Sequence, residues 1–432
     1  MEKILNKQIN SIKVEGFKNI TNSKIEFKNI SALVSLNGFG KSNLLSATKF
    51  GIDFIKSDEN TRLLMMGFKY GIPILKSCPS KDYKFEVEME LKNNKSTFLV
   101  LYGFSFKWAR ADDKGSYITS EWLKVKEAEK GSKYNTYIKR NTEESHYKSS
   151  ESGRCDVRIP AGPGMLVISK LRAFDNLFYY EILNAINDLE VYIERHFDAS
   201  KSYKFRPFMI KGRDIMQIND DSNIPRIVYK LKQDYPDKFE LLQNAFLLLM
   251  PQMTDVFIKR SEDMDISASL DEKAPIILFD DVIKLFVKDK YLNQPIEFEL
   301  LSDGAKRIFS MLTCLLLADL NGVSLLAIEE PENSIHPGLL QSYLTVISQL
   351  MGDCRIVVTS HSPYIIQYLD LTDIYIGLPG ETGAAGFFKF NRSKVKSFLK
   401  IASDYNMSTG EFIFELMSGS DEEIKELKEY LV

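Results

Sequence analysis

The sequence predicts an α/β fold with a mainly parallel sheet and ligand groups at the C-terminal ends of its strands, and three stretches carry that prediction. SALVSLNGFGKSNLLSA (31–47) reads as a hydrophobic strand, a glycine-containing turn and a helix. VSLLAIEE (323–330) is a buried-type strand ending in two acids, and RIVVTSHSP (355–363) is another that ends at a histidine.

The elements follow in order. Residues 10–36 alternate and predict two or three short strands. After Lys41 comes a helix with Leu44, Ala47, Gly51 and Ile55 near one face. YKFEVEMEL (83–91) and STFLVLYGFSF (96–106) predict strands joined at the turn KNNK, and NTYIKRN (135–141) predicts another. Residues 145–274 read as a mainly helical insertion, with helices over 171–195 and 225–249 and a polar link between them. Strand character returns after 275 in PIILFD and PIEFEL, followed by LSDGAKR and the helix IFSMLTCLLLADL. The predicted division is therefore 1–144 and 275–375 as two halves of one α/β core, 145–274 as the insertion, and 376–432 as an extension ending in the charged helix SGSDEEIKELKEYLV.

A length of 432 residues suggests two to three folding units, or one large domain with an insertion. With 44% hydrophobic and 27% charged residues the chain can bury a substantial core. A net charge of −3 and a pI near 6.0 exclude a globally basic nucleic-acid binder while leaving room for a local positive groove. The densest basic stretch is KSYKFRPFMIKGR (201–213), which fits either a solvated loop or a patch contacting a nucleic-acid backbone through Lys201, Lys204, Arg206, Lys211 and Arg213. Cys78, Cys155, Cys314 and Cys354 stand far apart and read as free thiols of a reducing compartment. The N-terminal residues are too polar for a signal peptide, and the apolar runs are shorter than the roughly 20 residues that span a bilayer. A cytosolic location without membrane contact is expected.

The chemistry sits in four pieces. SLNGFGKS (35–42) matches a phosphate-binding loop: Gly38 and Gly40 permit close backbone approach, Lys41 meets β/γ phosphate charge, and Ser42 offers a hydroxyl to Mg²⁺ at a helix N-terminus. Its first position is Ser35, where the pattern has glycine. Glu329 and Glu330 arrive at the sheet edge, where one carboxylate can hold the metal and the other can orient or deprotonate water; a solvated strand end is the alternative. Ser302 and Gly304 in LSDGAKR suit a phosphate at a helix start, and an N-cap explains the serine equally well. His361 can bond a γ-phosphate or the glutamate, or serve structure alone.

In the order SLNGFGKSN, LSDGAKR, LLAIEEPEN, TSHSP, the sequence resembles the ABC-type ATPases of the SMC, RecF and OLD group, and EEPENSIHP is especially similar to the stand-alone OLD-like AAA ATPases. The resemblance covers roughly residues 10–140 and 275–375. It implies a P-loop NTPase head that binds ATP with Mg²⁺, in which Asn37, Gly38, Phe39, Gly40, Lys41, Ser42 and Asn43 contact the nucleotide. It further implies Ser302 and Gly304 as a signature acting on the opposite subunit, Ser42 and Glu329 as metal ligands, Glu330 as catalytic base and His361 as switch histidine. Asn333 and Ser334 fall where the dimer-contacting loop runs, and Lys18 of VEGFKNI takes the place of a basic residue near the nucleotide. No residue is assigned to the family's Q-loop glutamine, and the long heptad runs of SMC arms are lacking. About 70 residues follow His361, too few for the Toprim domain of OLD nucleases, so a separate effector protein is expected.

The implied assembly is a homodimer of heads, open to higher oligomers. The implied function is an ATPase sensor or scaffold in anti-phage defence; a RecF-like repair ATPase binding duplex DNA and an ATP-gated protein-interaction module without nucleic acid stand as alternatives.

Overall fold

The computed structural model describes the chain apart from residues 1–3, 5, 74, 76–80, 110–115, 195–202, 204–207, 212–214, 217–222, 262–275, 280 and 381. It divides into two compact units, one of residues 1–193, 323–330 and 353–432, the other of 194–322 and 331–352.

The N-terminal part of the first unit supplies strands β1 (Asn6–Glu15), β2 (Ser23–Glu26), β3 (Ile30–Val34), β4 (Tyr83–Lys92), β5 (Thr97–Lys107), β6 (Tyr117–Glu127), β7 (Asn135–Arg140), β8 (Ser145–Lys148), β9 (Cys155–Arg158) and β10 (Val191–Glu194). Eight of them form a sheet in the order β2-β1-β4-β5-β6-β7-β8-β9, with antiparallel pairing from strand to strand. Alternation dictates which face is buried: along β4, Tyr83, Phe85, Val87, Met89 and Leu91 point inward. The predicted turn between β4 and β5 is closed by Asn93, whose Oδ1 accepts from the N–H of Lys95 at 2.9 Å and of Ser96 at 2.8 Å.

The helix Lys41–Lys56 lays Leu44, Leu45, Ala47, Ile52, Phe54 and Ile55 into the core. Phe54 stacks on Phe104 and Phe106 at 4.7 and 5.0 Å between ring centroids. Gly51 lets the helix approach this closely, because a Cβ there would lie 2.1 Å from the Phe85 ring. Buried Glu121 ties the far side together, accepting from the N–H of Val167 at 2.6 Å and of Ile168 at 2.9 Å and from the Tyr102 hydroxyl at 3.1 Å. Burial pushes its carboxyl above the usual range, against the lowering effect of those N–H donors and Arg140.

Two expectations change here. The insertion boundary expected at 145 falls inside this sheet, since β8 and β9 extend it and residues up to 193 belong to the first unit. The helix expected over 171–195 is instead a short helix Val167–Leu171, a helix Tyr180–Asn187 and strand β10. Asp175 and Asn176 favour a turn, and the β-branched and aromatic run Val191-Tyr192-Ile193 favours an extended chain at a sheet edge.

The second unit holds β11 (Phe208–Ile210), β12 (Met253–Ser261), β13 (Ile276–Leu278), β14 (Val282–Asp289) and β15 (Ile296–Glu297). β11 pairs with β13, while β12, β14 and β15 form an antiparallel sheet, so the insertion is mixed rather than mainly helical. The helical stretch 225–249 is two helices, Ile224–Asp234 and Pro236–Leu249. Tyr235, just before Pro236, leaves the helical region at φ −140° and ψ 66° and separates them. PIEFEL yields only the two residues of β15 and a 3-10 turn, Phe298–Leu300. The helix Asp303–Leu320 buries most of its length, and Leu340–Leu350 is a further helix of this unit.

The first unit is completed by β16 (Leu325–Glu329), β17 (Arg355–Ser360), β18 (Ile374–Pro379) and β19 (Ala385–Lys389). A six-stranded sheet runs β10-β16-β17-β3-β18-β19, in which β16, β17, β3 and β18 are parallel and β19 is antiparallel to β18. Leu325–Ile328, Ile30–Val34 and Ile356–Ser360 are buried, as strands covered on both faces must be. Three helices follow, Val395–Asp404, Thr409–Ser418 and Asp421–Glu429, the last two opened by capping boxes, Ser408 with Glu411 and Ser420 with Glu423. Among the described residues no helix is long and apolar enough to cross a membrane.

Candidate functional site

Register brings three sequence motifs to one edge. Glu329 pairs with Thr359, and Ser360 with Val34, so the parallel strands β16, β17 and β3 end side by side. The carboxylate pair, the histidine and the glycine-rich loop leave the sheet there in that order.

The loop 35–40 turns through two left-handed glycines, Gly38 at φ 81° and Gly40 at φ 101°. Gly40 is also enclosed, since a Cβ would lie 2.8 Å from the Ala385 Cβ and 3.1 Å from the Asn19 amide. Around Gly38 a Cβ would meet nothing within 4 Å, leaving that side of the backbone open. Gly40 caps the helix Lys41–Lys56 without a side-chain hydrogen bond, and its first turn holds no acid. N–H groups at such a helix start suit an anion.

Lys41 is buried and folds back along the loop, donating from Nζ to the Ser35 carbonyl at 2.8 Å, the Ser35 hydroxyl at 3.1 Å and the Leu36 carbonyl at 3.4 Å. Ser35, the departure from the motif, is itself fully buried, and its hydroxyl donates to the Leu36 carbonyl at 3.0 Å. Ser42 is exposed at the helix start. Lys18 donates to the Asn43 Oδ1 at 3.1 Å, and the Asn43 amide donates to the Asn19 Oδ1 at 2.8 Å, which ties the turn after β1 to the same helix.

Glu330 sits at φ 51°, and its N–H donates to the Thr359 carbonyl at 2.9 Å. This left-handed turn ends β16 and brings the carboxylate to the neighbouring strand end, where His361 Nδ1 donates to its Oε1 at 2.8 Å. An ionised carboxylate only accepts, so the proton of this bond belongs to Nδ1. A second bond set steadies the histidine's loop: the Ser362 N–H donates to the Ser360 hydroxyl at 2.9 Å. The described non-glycine residues with positive φ are Lys18, Glu330 and Asn406, and two of them belong to this site. Backbone strain of this kind costs about 1–3 kcal/mol per residue and persists where the surroundings enforce it.

Thus Lys18, the loop residues Asn37–Asn43, Glu329, Glu330 and His361 gather around one sheet edge of the first unit. Ser302, Gly304, Asn333 and Ser334 belong to the second unit. There Ser302 is exposed and caps the helix Asp303–Leu320, its hydroxyl accepting from the Ala305 N–H at 3.4 Å. Of the basic stretch 201–213, Lys201, Lys204, Arg206 and Arg213 lie outside the described residues, as does Cys78, while Lys211 is exposed. Cys155, Cys314 and Cys354 are free thiols. Among the described residues no three His, Cys, Asp or Glu side chains cluster as a metal cage.

Sequence reasoning missed Asn19 and Gly377. Asn19 follows Lys18 in VEGFKNI, where only the lysine is singled out. Gly377, on β18, leaves the space that the Ser35 Cβ fills, since a Cβ at 377 would lie 2.7 Å from it.

Residues 31–367 match the family described as "AAA domain, putative AbiEii toxin, Type IV TA system". Solved structures with similar folds include an SMC head bound to the C-terminal winged-helix domain of ScpA, 14% identical with a TM-score of 0.47, covering 90% of this chain and 99% of that one. The SMC head of Thermotoga maritima is 12% identical with a TM-score of 0.42, covering 89% and 99%. The Pyrococcus furiosus SMC head, with an extended coiled coil and bound to the C-terminal domain of ScpA, is 12% identical with a TM-score of 0.45, covering 92% and 100%. No curated protein matches the chain. The chain belongs to the AAA-domain family whose model it matches over residues 31–367.

Proposed function

We propose that this chain binds and hydrolyses ATP between two copies of itself and serves as a sensor or scaffold in anti-phage defence, controlling a separate effector. The observation that carries the ATPase reading is the Glu330–His361 pair at 2.8 Å on the same sheet edge as the Lys41 loop. Lys41 supplies positive charge to the β/γ phosphates, and the loop N–H groups approach them through Gly38 and Gly40. Glu330, fixed by the Thr359 carbonyl and His361, accepts a proton from the attacking water. Ser42 and Glu329 would hold Mg²⁺, which supplies neutralisation of phosphate charge; an ion that keeps several waters and binds phosphates needs no larger protein cage. The defence role rests on the family match, whose description names an AbiEii toxin, and on the OLD-like phrase EEPENSIHP.

Glu330→Gln should lower turnover about 10²–10⁴-fold and preserve ATP affinity, whereas Lys41→Ala should weaken binding of a non-hydrolysable analogue in calorimetry. Unchanged turnover in Glu330→Gln would refute the assignment. Action of Ser302 across the dimer is tested by mixing Lys41→Ala with Ser302→Arg. A heterodimer then has one composite site with both lesions and one with neither, so part of the activity returns. Persistent inactivity of assemblies proved mixed by mass spectrometry counts against it.

A further inference from the structure

The eight-stranded sheet carries a cleft of about 740 Å³ whose lining includes none of the residues of the Lys41, Glu330 and His361 site. Its walls come from the β4–β5 turn, from strands β5 to β8 and the turn before β7, and from Glu151 and Phe178 beyond them, so no contiguous stretch of sequence announces it. Four lysines line it, Lys95, Lys126, Lys133 and Lys148, against two carboxylates, Glu127 and Glu151.

Lys148 is the unusual member. Only 9% of it is exposed, yet its ammonium has neither a carboxylate nor a hydrogen-bond acceptor among the described residues. It lies over the rings of Tyr137 and Phe178, at 5.2 and 5.6 Å from their centroids. These cation–π contacts hold the ammonium at the cleft without an anionic partner. An anion entering the cleft would supply the missing partner. Lys126, over the Tyr134 ring at 4.6 Å, adds a second positive charge on the neighbouring strands.

The rest of the lining is not that of a plain anion site. Phe98, Tyr137 and Phe178 present half-buried ring surface to the cleft. Glu151 and Glu127 face the Tyr137 phenol, which is raised above its usual value by burial first and by these two charges next. Carboxylates accept hydrogen bonds from ring amines, lysines hold phosphate, and aromatic faces stack on bases. The volume falls within the range of small-molecule sites.

We propose that this cleft binds a nucleoside phosphate, with its phosphate on Lys148 and its base against the aromatic wall. The same chemistry is offered by a free nucleotide or by a nucleotide unit of a single strand. The site is separate from the Lys41 loop and stands whether or not that loop hydrolyses ATP.

The test uses the full chain carrying Lys41→Ala, so that binding is read without the loop's contribution, and titrates it calorimetrically with AMP, with inorganic phosphate and with a single-stranded oligonucleotide of about 12 residues. AMP should bind more tightly than phosphate. Adding Lys148→Gln should weaken AMP about tenfold or more, and Lys148→Arg should stay within about threefold. Should Lys148→Gln fail to fold, Lys126→Gln gives the second reading, with an expected loss of about threefold. Binding of AMP alone assigns a free nucleotide, and oligonucleotide binding displaced by AMP assigns a single strand. Absence of binding by both, equal affinity in the folded lysine variants, or phosphate binding as tightly as AMP would overturn the proposal.

Discussion

The two sheets of the first unit carry their polar chemistry in opposite ways. In the six-stranded sheet the parallel strands are buried on both faces and contribute little but hydrophobic residues, so functional groups emerge only in the loops beyond Val34, Glu329 and Ser360. In the eight-stranded antiparallel sheet, polar and apolar residues alternate, and lysines, tyrosines and glutamates on different strands meet across a face. A parallel sheet therefore compresses a site into short contiguous words, and a meander scatters it at every second residue of several strands. Substitutions in the loops should change turnover more than stability; substitutions under the meander should do the reverse.

The largest expected effect tests the second half of that contrast. Phe54 is fully buried between Phe104 and Phe106, where the helix after the phosphate loop packs on the meander. Phe54→Ala should cost about 3–5 kcal/mol of unfolding free energy, read as a lower urea midpoint, while the folded fraction retains ATP affinity within a fewfold range. A loss below about 1 kcal/mol would mean that this packing matters far less than its burial implies.

Glu330 tests the first half. Its φ of 51° is unfavourable for any residue with a Cβ. Glu330→Gly should remove strain of about 1–2 kcal/mol, partly offset by glycine's greater freedom in the unfolded chain, so a net gain in stability of about 1 kcal/mol accompanies loss of turnover. Thermal denaturation and a phosphate-release assay read the two quantities on one preparation. A variant both less stable and active would break the contrast at its centre.

How much was legible follows from the same division. β3, β16, β17 and the helix from Lys41 were readable because each is a hydrophobic run punctuated by glycine, acid or histidine, and the loop, Glu329, Glu330 and His361 were readable with them. The β4–β5 hairpin was legible through its alternation and Asn93. The region 171–195 was not, because LRAFDNLFYYEILNAINDLEVYIER carries a helix-like apolar spacing, while Asp175-Asn176 and the β-branched end decide its breaks. β8 and β9 are short, and β12 and β14 pair with each other across the intervening residues 262–281, so their pairing is a tertiary property. Lys148 was illegible for that reason: its isolation depends on Tyr137 and Phe178, residues brought beside it only by folding.

The smallest expected effect concerns the serine at the start of the phosphate loop. Ser35 can stand where the motif has glycine because the adjacent strand supplies the missing space: a Cβ on Gly377 would lie 2.7 Å from the Ser35 Cβ and 3.0 Å from the Phe387 ring. The glycine requirement has thus moved from the start of the loop to β18. Gly377→Ala alone should destabilise by about 1–3 kcal/mol through overpacking. Ser35→Gly alone should cost about 1 kcal/mol, from the hydroxyl's contacts with Lys41 and Leu36 and from backbone freedom, and leave turnover within about threefold, since Lys41 keeps the Ser35 carbonyl at 2.8 Å. Combined, the two changes should be less harmful than their sum by about 0.5–1 kcal/mol, because removing the Ser35 side chain clears one of the two collisions and leaves that with Phe387. Strict additivity in a double-mutant cycle of unfolding free energies would show that Gly377 is not what accommodates Ser35.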